Sequence, residues 1–441
     1  MTLGNEFLSR LLKNSSWGLT ANLITAVSGI VQVGFVTRLL GVESFGELTV
    51  IMAFPMLVHQ FAGFRTGEFV VKYSTLSLTQ EKRQDVGKIA LVGLAIDCII
   101  ASLTVIIVWV GGGLYLTHTL GDSSYASLLN IYLFAIVPGA LLPTSQGLLR
   151  VYNRFNVICL LSAVCGVLRL SFVYLVYVNS AGLRGVVIAY TATAVFNALF
   201  CFSACIWESR KRIEFVSPMS AYQLLKKEFR RYMSFLSAGY LEAGVLVASR
   251  NLDVILLANI GGVNEVGLYR AGKTTISFMD NLLSPLTQAI LPDIQRYIKL
   301  PKAELRRRVF ILTLLVGGGF TVVGGLFVLL VPFFLESVMG SGFTEATLGA
   351  RIMVGATVVS GLFFWLSPFV ISFERQWVRF CANIAGVITQ FGVLWVAVPE
   401  WGHIGAASAY FALFAVYHLL MLVWVSIFSP ISIGRCNCSL K

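Results

Sequence analysis

Ten ionisable side chains stand inside long apolar runs of this sequence: Arg38, Asp97, Arg169, Glu242, Arg250, Asp253, Arg270, Lys273, Asp280 and Arg351. A charge at the centre of a membrane span costs roughly 2.5–3.5 kcal/mol on insertion scales. Ten such charges in lipid would cost about 30 kcal/mol, more than the usual 5–15 kcal/mol of net folding stability. Most of them must therefore pair or face a wet cavity. Arg38, Arg270 and Arg351 lie near the ends of their runs and can snorkel. Guanidinium and ammonium groups gathered in a cavity suit an anion such as a phosphate. Arg38, Arg169, Arg250, Arg270 and Lys273 are the candidate anion-binding residues. Glu242, Asp253, Asp280 and Asp97 are the candidates for ion or proton coupling, since a carboxylate in a poorly solvated cavity can exchange a proton. The other reading of both sets is mutual pairing that balances charge inside the bundle. His59 is either a relay or a hydrogen-bonded core imidazole.

Helical geometry gathers these groups. At about 100° per residue, Glu242, Arg250 and Asp253 share about 80° of arc, and so do Arg270, Lys273 and Asp280. Gly18, Asn22, Thr25, Gly29 and Gln32 form a heptad seam of small and polar residues, suited to close helix contact or a cavity wall. Arg38, Arg250, Arg270 and Lys273 fall in the outer half of the expected bundle, with Asp253 as their one nearby acid.

The elements that must hold these residues are membrane helices. Of 441 residues, 57% are hydrophobic and only 12% charged, half the charge of an ordinary soluble domain. A soluble protein this apolar could not cover its surface. The long apolar runs also differ from the short alternating segments of a membrane barrel. Twelve runs approach the length needed to cross about 30 Å of hydrocarbon. They are 16–40, 46–64, 88–112, 125–149, 155–178, 185–207, 232–260, 266–290, 309–331, 347–371, 378–398 and 404–428. Backbone in lipid must bond to itself, so the runs are helices.

Lys and Arg fix a side for each loop. With the N-terminus inside, 26 of the 33 basic residues fall in inside segments, six lie in spans, and Arg184 alone is outside. That bias places both termini in the cytoplasm. It also absorbs most of the net charge of +12, so nucleic acid is not an expected partner. The first apolar run is too long for a cleaved signal peptide. The basic stretch "AYQLLKKEFRRY" reads as a surface helix against anionic headgroups.

The two halves repeat. Gly41-Val42 followed by Gly46 matches Gly262-Val263 followed by Gly267, an offset of 221. Tyr152-Asn153-Arg154 matches Phe373-Glu374-Arg375 at the same offset. Gly182, Gly185, Ala189 and Tyr190 match Gly402, Gly405, Ala409 and Tyr410 at 220. Several matches at half the chain length indicate duplication. Each half holds an even number of spans, so the halves enter the membrane in the same direction. The expectation is an all-α polytopic membrane protein of twelve transmembrane helices, in two parallel six-helix repeats around a central cavity. Its parts are an N-terminal lobe (1–207), a basic cytoplasmic linker (208–231) and a C-terminal lobe (232–441). Transporters built this way bind substrate between halves that rock.

Other chemistries find little support. Gly267 to Thr274 spells G-x-x-x-x-G-K-T, but a phosphate loop needs a strand before it and a soluble domain around it. The cysteines lack paired zinc spacing, so neither a metal nor a cofactor is expected. No loop exceeds about 30 residues, too short for a catalytic domain, so an enzyme such as a polysaccharide polymerase or glycosyltransferase is disfavoured. A multidrug antiporter would want an acidic or apolar pocket, whereas the spans hold six cations and four acids.

Val266-Gly267-Leu268-Tyr269-Arg270-Ala271, with Leu291-Pro292-Asp293 further on, resembles a pattern of polysaccharide exporters. Gly41-Val42-Glu43-Ser44-Phe45-Gly46 resembles its counterpart in the first half. The family is the O-antigen type of lipid-linked oligosaccharide flippase, in the superfamily that also holds multidrug and toxin extrusion antiporters and the lipid II flippase. The resemblance implies a bacterial inner-membrane protein and an undecaprenyl-diphosphate-linked sugar repeat moved from the cytoplasmic to the periplasmic leaflet. It implies membrane lipids, a proton or sodium ion, and polysaccharide polymerase and chain-length proteins as partners. The carrier's diphosphate suits Arg38, Arg250, Arg270 and Lys273.

Overall fold

The computed structural model describes the backbone of residues 2–62, 65–210, 212, 216–277, 279, 294, 301–373 and 375–428. It describes their side chains except at 2–23, 62, 83, 123, 238–250, 302, 376 and 428. Regular structure among these residues is helical throughout. The first half holds α1 (Thr2–Ala62), α2 (Thr66–Thr79), α3 (Arg83–Leu120), α4 (Ala126–Gly139), α5 (Leu142–Val151), α6 (Phe155–Val178) and α7 (Gly182–Arg210). After it come α8 (Pro218–Gly261) and α9 (263–277). The rest are α10 (Lys302–Leu312), α11 (Gly318–Phe334), α12 (Thr347–Leu362), α13 (Leu366–Ser372) and α14 (Gln376–Phe428).

Among the described residues, eight helical stretches are long and apolar enough to cross a bilayer. Two of them, Ile24–Thr79 and Trp377–Ile427, run 56 and 51 residues. At about 1.5 Å per residue each exceeds twice the hydrocarbon thickness, so each holds two crossings. The chain turns between the crossings at Gly41 (φ +71°) and Gly402 (φ +50°). Between them the eight stretches hold ten of the twelve expected spans. The other two, 232–260 and 266–290, fall on α8 and on α9 with residues beyond the described set. Trp109, Leu114, Phe134, Leu315, Phe333, Trp395 and Val396 are largely exposed, an arrangement that hydrocarbon tolerates and water does not.

The repeat is written in the backbone. The described glycines with left-handed backbone fall into three pairs: Gly41 with Gly262, Gly121 with Gly340, and Gly182 with Gly402. Each pair is spaced by about half the chain. Each member sits in a turn at the end where the loops almost lack Lys and Arg.

The chain divides into two compact units, Met1–Val247 and Ala248–Lys441. The core of the first gathers Phe69 and Tyr73 of α2, Val86 and Ile89 of α3, Leu149 of α5 and Cys201 of α7. Ala221, Tyr232 and Leu236 of α8 join it. The stretch expected as a surface helix therefore has two faces. Its apolar face is built into this core, while Lys226, Lys227, Arg230 and Arg231 are exposed. The core of the second unit gathers Phe364, Trp365, Phe369, Ala382 and Met421.

Two helix breaks in the first unit have clear causes. Pro138, in the last turn of α4, deletes a backbone donor, and the chain restarts as α5 with Pro143 in its first turn. α2 restarts at Thr66, after the second apolar run has ended. The restarted helices pack closely on each other and on α3. A Cβ at Gly147 would lie 2.8 Å from the Gly67 carbonyl oxygen, and one at Gly93 would lie 2.7 Å from Thr144 Oγ1.

Candidate functional site

The restarted helices point their N-termini at Asp97 of α3, which is 5% exposed. Thr66 Oγ1, from the first residue of α2, donates to Asp97 Oδ1 at 2.5 Å. Thr144 Oγ1, from the first turn of α5, donates to Oδ2 at 2.7 Å. The Thr144 backbone N–H also donates to this carboxylate. Helix N-termini carry partial positive charge and unsatisfied N–H groups, which favour an anion. Among the described residues no cation lies within ion-pair distance of Asp97. Hydroxyls and helix ends therefore hold this carboxylate. Discontinuous helices elsewhere in membrane proteins frame ion sites in the same way.

A second polar centre of this unit lies where α1, α6 and α7 meet. Gln32 Nε2, on a side chain 5% exposed, donates to Tyr190 Oη at 2.8 Å. The Arg169 guanidinium lies 5.0 Å from the Tyr190 ring centroid. The expected seam on α1 is partly realised, because α6 approaches it closely: a Cβ at Gly166 would sit 3.6 Å from the Thr25 Cα.

The second unit places other residues at the repeat-related positions. Gln32 corresponds to Asp253, Arg169 to Gln390 and Tyr190 to Tyr410. Asp253 is fully buried. Its Oδ2 accepts from Tyr269 Oη at 2.6 Å and from Lys273 Nζ at 2.5 Å. Its Oδ1 accepts the Val254 backbone N–H at 2.7 Å. The Lys273 ammonium lies 5.0 Å from the Tyr269 ring centroid and 5.7 Å from that of Tyr410. This is a buried ion pair with further hydrogen bonds, the arrangement a charge needs in a poorly solvated interior.

The remaining expected site residues are dispersed. Arg38 of α1 and Arg270 of α9 are exposed. Lys273, one turn after Arg270, is held by Asp253. Arg351 Nε of α12 donates to the Val328 carbonyl at 3.1 Å. His59 Nδ1 is buried and has no hydrogen-bond partner among the described residues. The side chains of Glu242, Arg250 and Asp280 lie outside the described residues. The G-x-x-x-x-G-K-T string is helical from end to end within α9, so it forms no phosphate loop. Among the described residues no three His, Cys, Asp or Glu side chains gather as a metal site.

The turns at the end of each unit where the loops almost lack Lys and Arg carry a tie that sequence reasoning passed over. In the first unit the Tyr125 hydroxyl donates to Glu47 Oε1 at 2.5 Å. That bond pushes the phenol up to about 12, with burial and nearby carboxylates adding to the effect. In the second unit Glu265 Oε2 accepts the backbone N–H of His403 at 2.5 Å and meets His403 Nδ1 at 2.7 Å. His403 Nε2 lies 3.3 Å from the Glu345 carbonyl oxygen. The available signal was position: His403 directly follows Gly402, one of the repeated glycines.

Comparison with known proteins places this geometry. The inner membrane protein YghQ of Escherichia coli (strain K12) is 22% identical over 294 residues, which cover 65% of this chain and 80% of that one. An inward-facing multidrug resistance transporter of the MATE family, in the MOP superfamily, superposes with a TM-score of 0.72 at 11% identity. That match covers 95% of this chain and 99% of that one. Lipid II flippase MurJ, in an inward closed conformation, superposes with a TM-score of 0.70 at 15% identity, covering 92% and 87%. These likenesses give the chain the twelve-helix fold of such transporters. The polysaccharide biosynthesis protein family matches residues 11–298, well over half of the sequence. The chain, a multi-pass membrane protein, belongs to that family.

Proposed function

We propose that this protein is a flippase for a diphosphate-linked oligosaccharide. It moves an undecaprenyl-diphosphate-linked repeat unit from the cytoplasmic to the periplasmic leaflet of a bacterial inner membrane, with both termini cytoplasmic. The observation that carries the reading is the family match over residues 11–298. The cations stranded in apolar helices give it chemistry. A cavity open to the inside takes the hydrophilic head while the prenyl tail stays in lipid. Rocking of the two repeats then exposes the head outside, and no covalent bond is broken.

Arg38, Arg169, Arg250, Arg270 and Lys273 are the cations offered to the diphosphate and sugar. An anion reaching Lys273 competes with Asp253. An ion gradient drives the cycle, with Asp97, Glu242, Asp253 and Asp280 as coupling carboxylates. Asp97 is the most favourable of the described ones, since its charge is balanced by groups that do not travel with a bound cation.

Single Ala replacements of Arg250, Arg270 and Lys273 test the anion site by surface glycan in a strain lacking the chromosomal copy. Loss of export in at least one supports it, and full export by all three removes it. Reconstituted transport with and without a proton or sodium gradient tests coupling. Indifference to both discards the carboxylate role. Export of a cationic drug without glycan movement would favour the multidrug alternative.

A further inference from the structure

The outer end of the second unit is tied by one imidazole. Three turns meet there: 262–265 at the start of α9, Ser341–Ala346 before α12, and the turn at Gly402 within α14. His403 touches the other two at once, through the Glu265 carboxylate and the Glu345 carbonyl. The backbone is shaped for the contact. Gly402 has φ +50°, and a Cβ there would sit 2.2 Å from Glu265 Oε2. From the far side Gly349 of α12 leaves room for the ring, where a Cβ would lie 3.2 Å from His403 Cδ2. The pair borders a surface cleft of about 530 Å³ lined also by Leu348, Glu400, Trp401 and Ile404, so solvent reaches it.

The chemistry of the two partners is one-sided. An ionised carboxylate and a carbonyl only accept, and a neutral imidazole has a single N–H to give. Both ring contacts are hydrogen bonds together only when the ring carries two protons. The charged groups of the three turns are Glu265, Glu345 and Glu400. Further along the packed helices lie Arg270 and Lys273 of α9, Arg351 of α12 and Arg379 of α14; Lys273 is held by Asp253, and Arg351 is turned to the Val328 carbonyl of α11. The turns that meet the ring thus carry acids alone.

We infer that Glu265 and His403 form a proton-binding site at the outer end of the second unit, which fastens its three turns when occupied and loosens them when the proton leaves. Loss of the Nε2 proton turns a lone pair toward the Glu345 carbonyl and leaves the carboxylate bonded to a neutral imidazole where an ion pair stood. The fastening is therefore present at low pH and lost as pH rises. The tie of the first unit runs instead through the Tyr125 phenol, which stays protonated up to about 12. The repeat-related positions of Glu265 and His403 there are Ser44 and Leu183. The site stands on this geometry alone. Its use as a pH-sensitive outer gate rests on the transport reading above.

Two measurements on the full chain in lipid nanodiscs test the site, and neither involves transport, so a failed flippase reading leaves them untouched. The sequence has four histidines, so ring-carbon NMR with His403→Gln as the assignment control follows His403 directly. Its ring-carbon shifts are expected to respond to pH, with a midpoint that moves to lower pH in Glu265→Gln. Hydrogen exchange, corrected for intrinsic rates, is expected to lose about tenfold protection in 262–266, 341–347 and 399–405 as pH rises, the size of one charge-assisted bond. His403→Gln flattens that step. A midpoint unmoved by Glu265→Gln, or a step that survives His403→Gln, overturns the inference.

Discussion

The two repeats put different charges at equivalent positions. Where the first has Gln32, Tyr190 and Arg169, the second has Asp253, Tyr410 and Gln390, with Lys273 added from α9. The first crossing is an amide bonded to a phenol whose ring carries an exposed guanidinium. The second is a carboxylate closed by an ammonium and a phenol. The first leaves a positive charge facing outward from the helices, and the second cancels its charges internally. At these equivalent positions, then, one repeat presents a charge and the other stores a pair.

The largest effect should come from the stored pair. Lys273→Met leaves the fully buried Asp253 with a phenol and a backbone N–H but no cation, and removing one partner of a buried pair costs about 3–5 kcal/mol. Asp253→Asn combined with Lys273→Met should recover most of the loss. Thermal unfolding of the two variants in the same detergent checks this, and a wild-type melting temperature for Lys273→Met would break the contrast between the halves.

Next in size is the carboxylate held by hydroxyls. Thr144→Val and Thr66→Val each remove a bond to a charged group, worth about 1.5–3 kcal/mol. In an Asp97→Asn background the same changes should cost about 1 kcal/mol, the value for neutral partners. A double-mutant cycle by unfolding reads the difference. Equal costs in both backgrounds would mean that Asp97 carries no charge in the folded protein.

The paired glycines give a sharper, smaller test. Gly182 and Gly402 share a left-handed backbone, but a Cβ at Gly182 meets nothing within 4 Å. Gly182→Ala should cost about 1 kcal/mol from backbone strain alone. Gly402→Ala must also displace Glu265 and should cost at least about twice that. Melting temperatures of the two variants, measured side by side, compare them directly. The smallest effect is expected at Arg169. Losing a cation over the Tyr190 ring at an exposed site removes about 0.5–1 kcal/mol. Arg169→Ala should therefore leave the melting temperature nearly unchanged even where it reduces glycan export.

Much of the scaffold was readable from sequence because membrane helices announce themselves by length and apolarity. The half-chain repeat showed in glycines that the turns require. Stranded charges were equally plain, since each violates a local rule. Their partners were harder to see. Thr66 and Thr144 lie 31 and 47 residues from Asp97, and only the restarted helices bring them together. Pairing of Asp253 with Lys273 stood as one of two readings, and the structure brings them into contact. The Glu265–His403 tie went unread because both residues lie in short polar turns, where a charged side chain breaks no rule.

Asp97 is surrounded by groups of an unusual kind for a membrane interior. A threonine hydroxyl can give its hydrogen or receive one, so Thr66 and Thr144 behave like two water molecules pinned to helix ends. If the carboxyl gains a proton, one hydroxyl need only swing its hydrogen aside, a motion of picoseconds to nanoseconds. The scaffold can then change its charge state without repacking a single helix. Any larger rearrangement that follows is free to begin elsewhere, at a slower pace, and to find this inner solvent already adjusted.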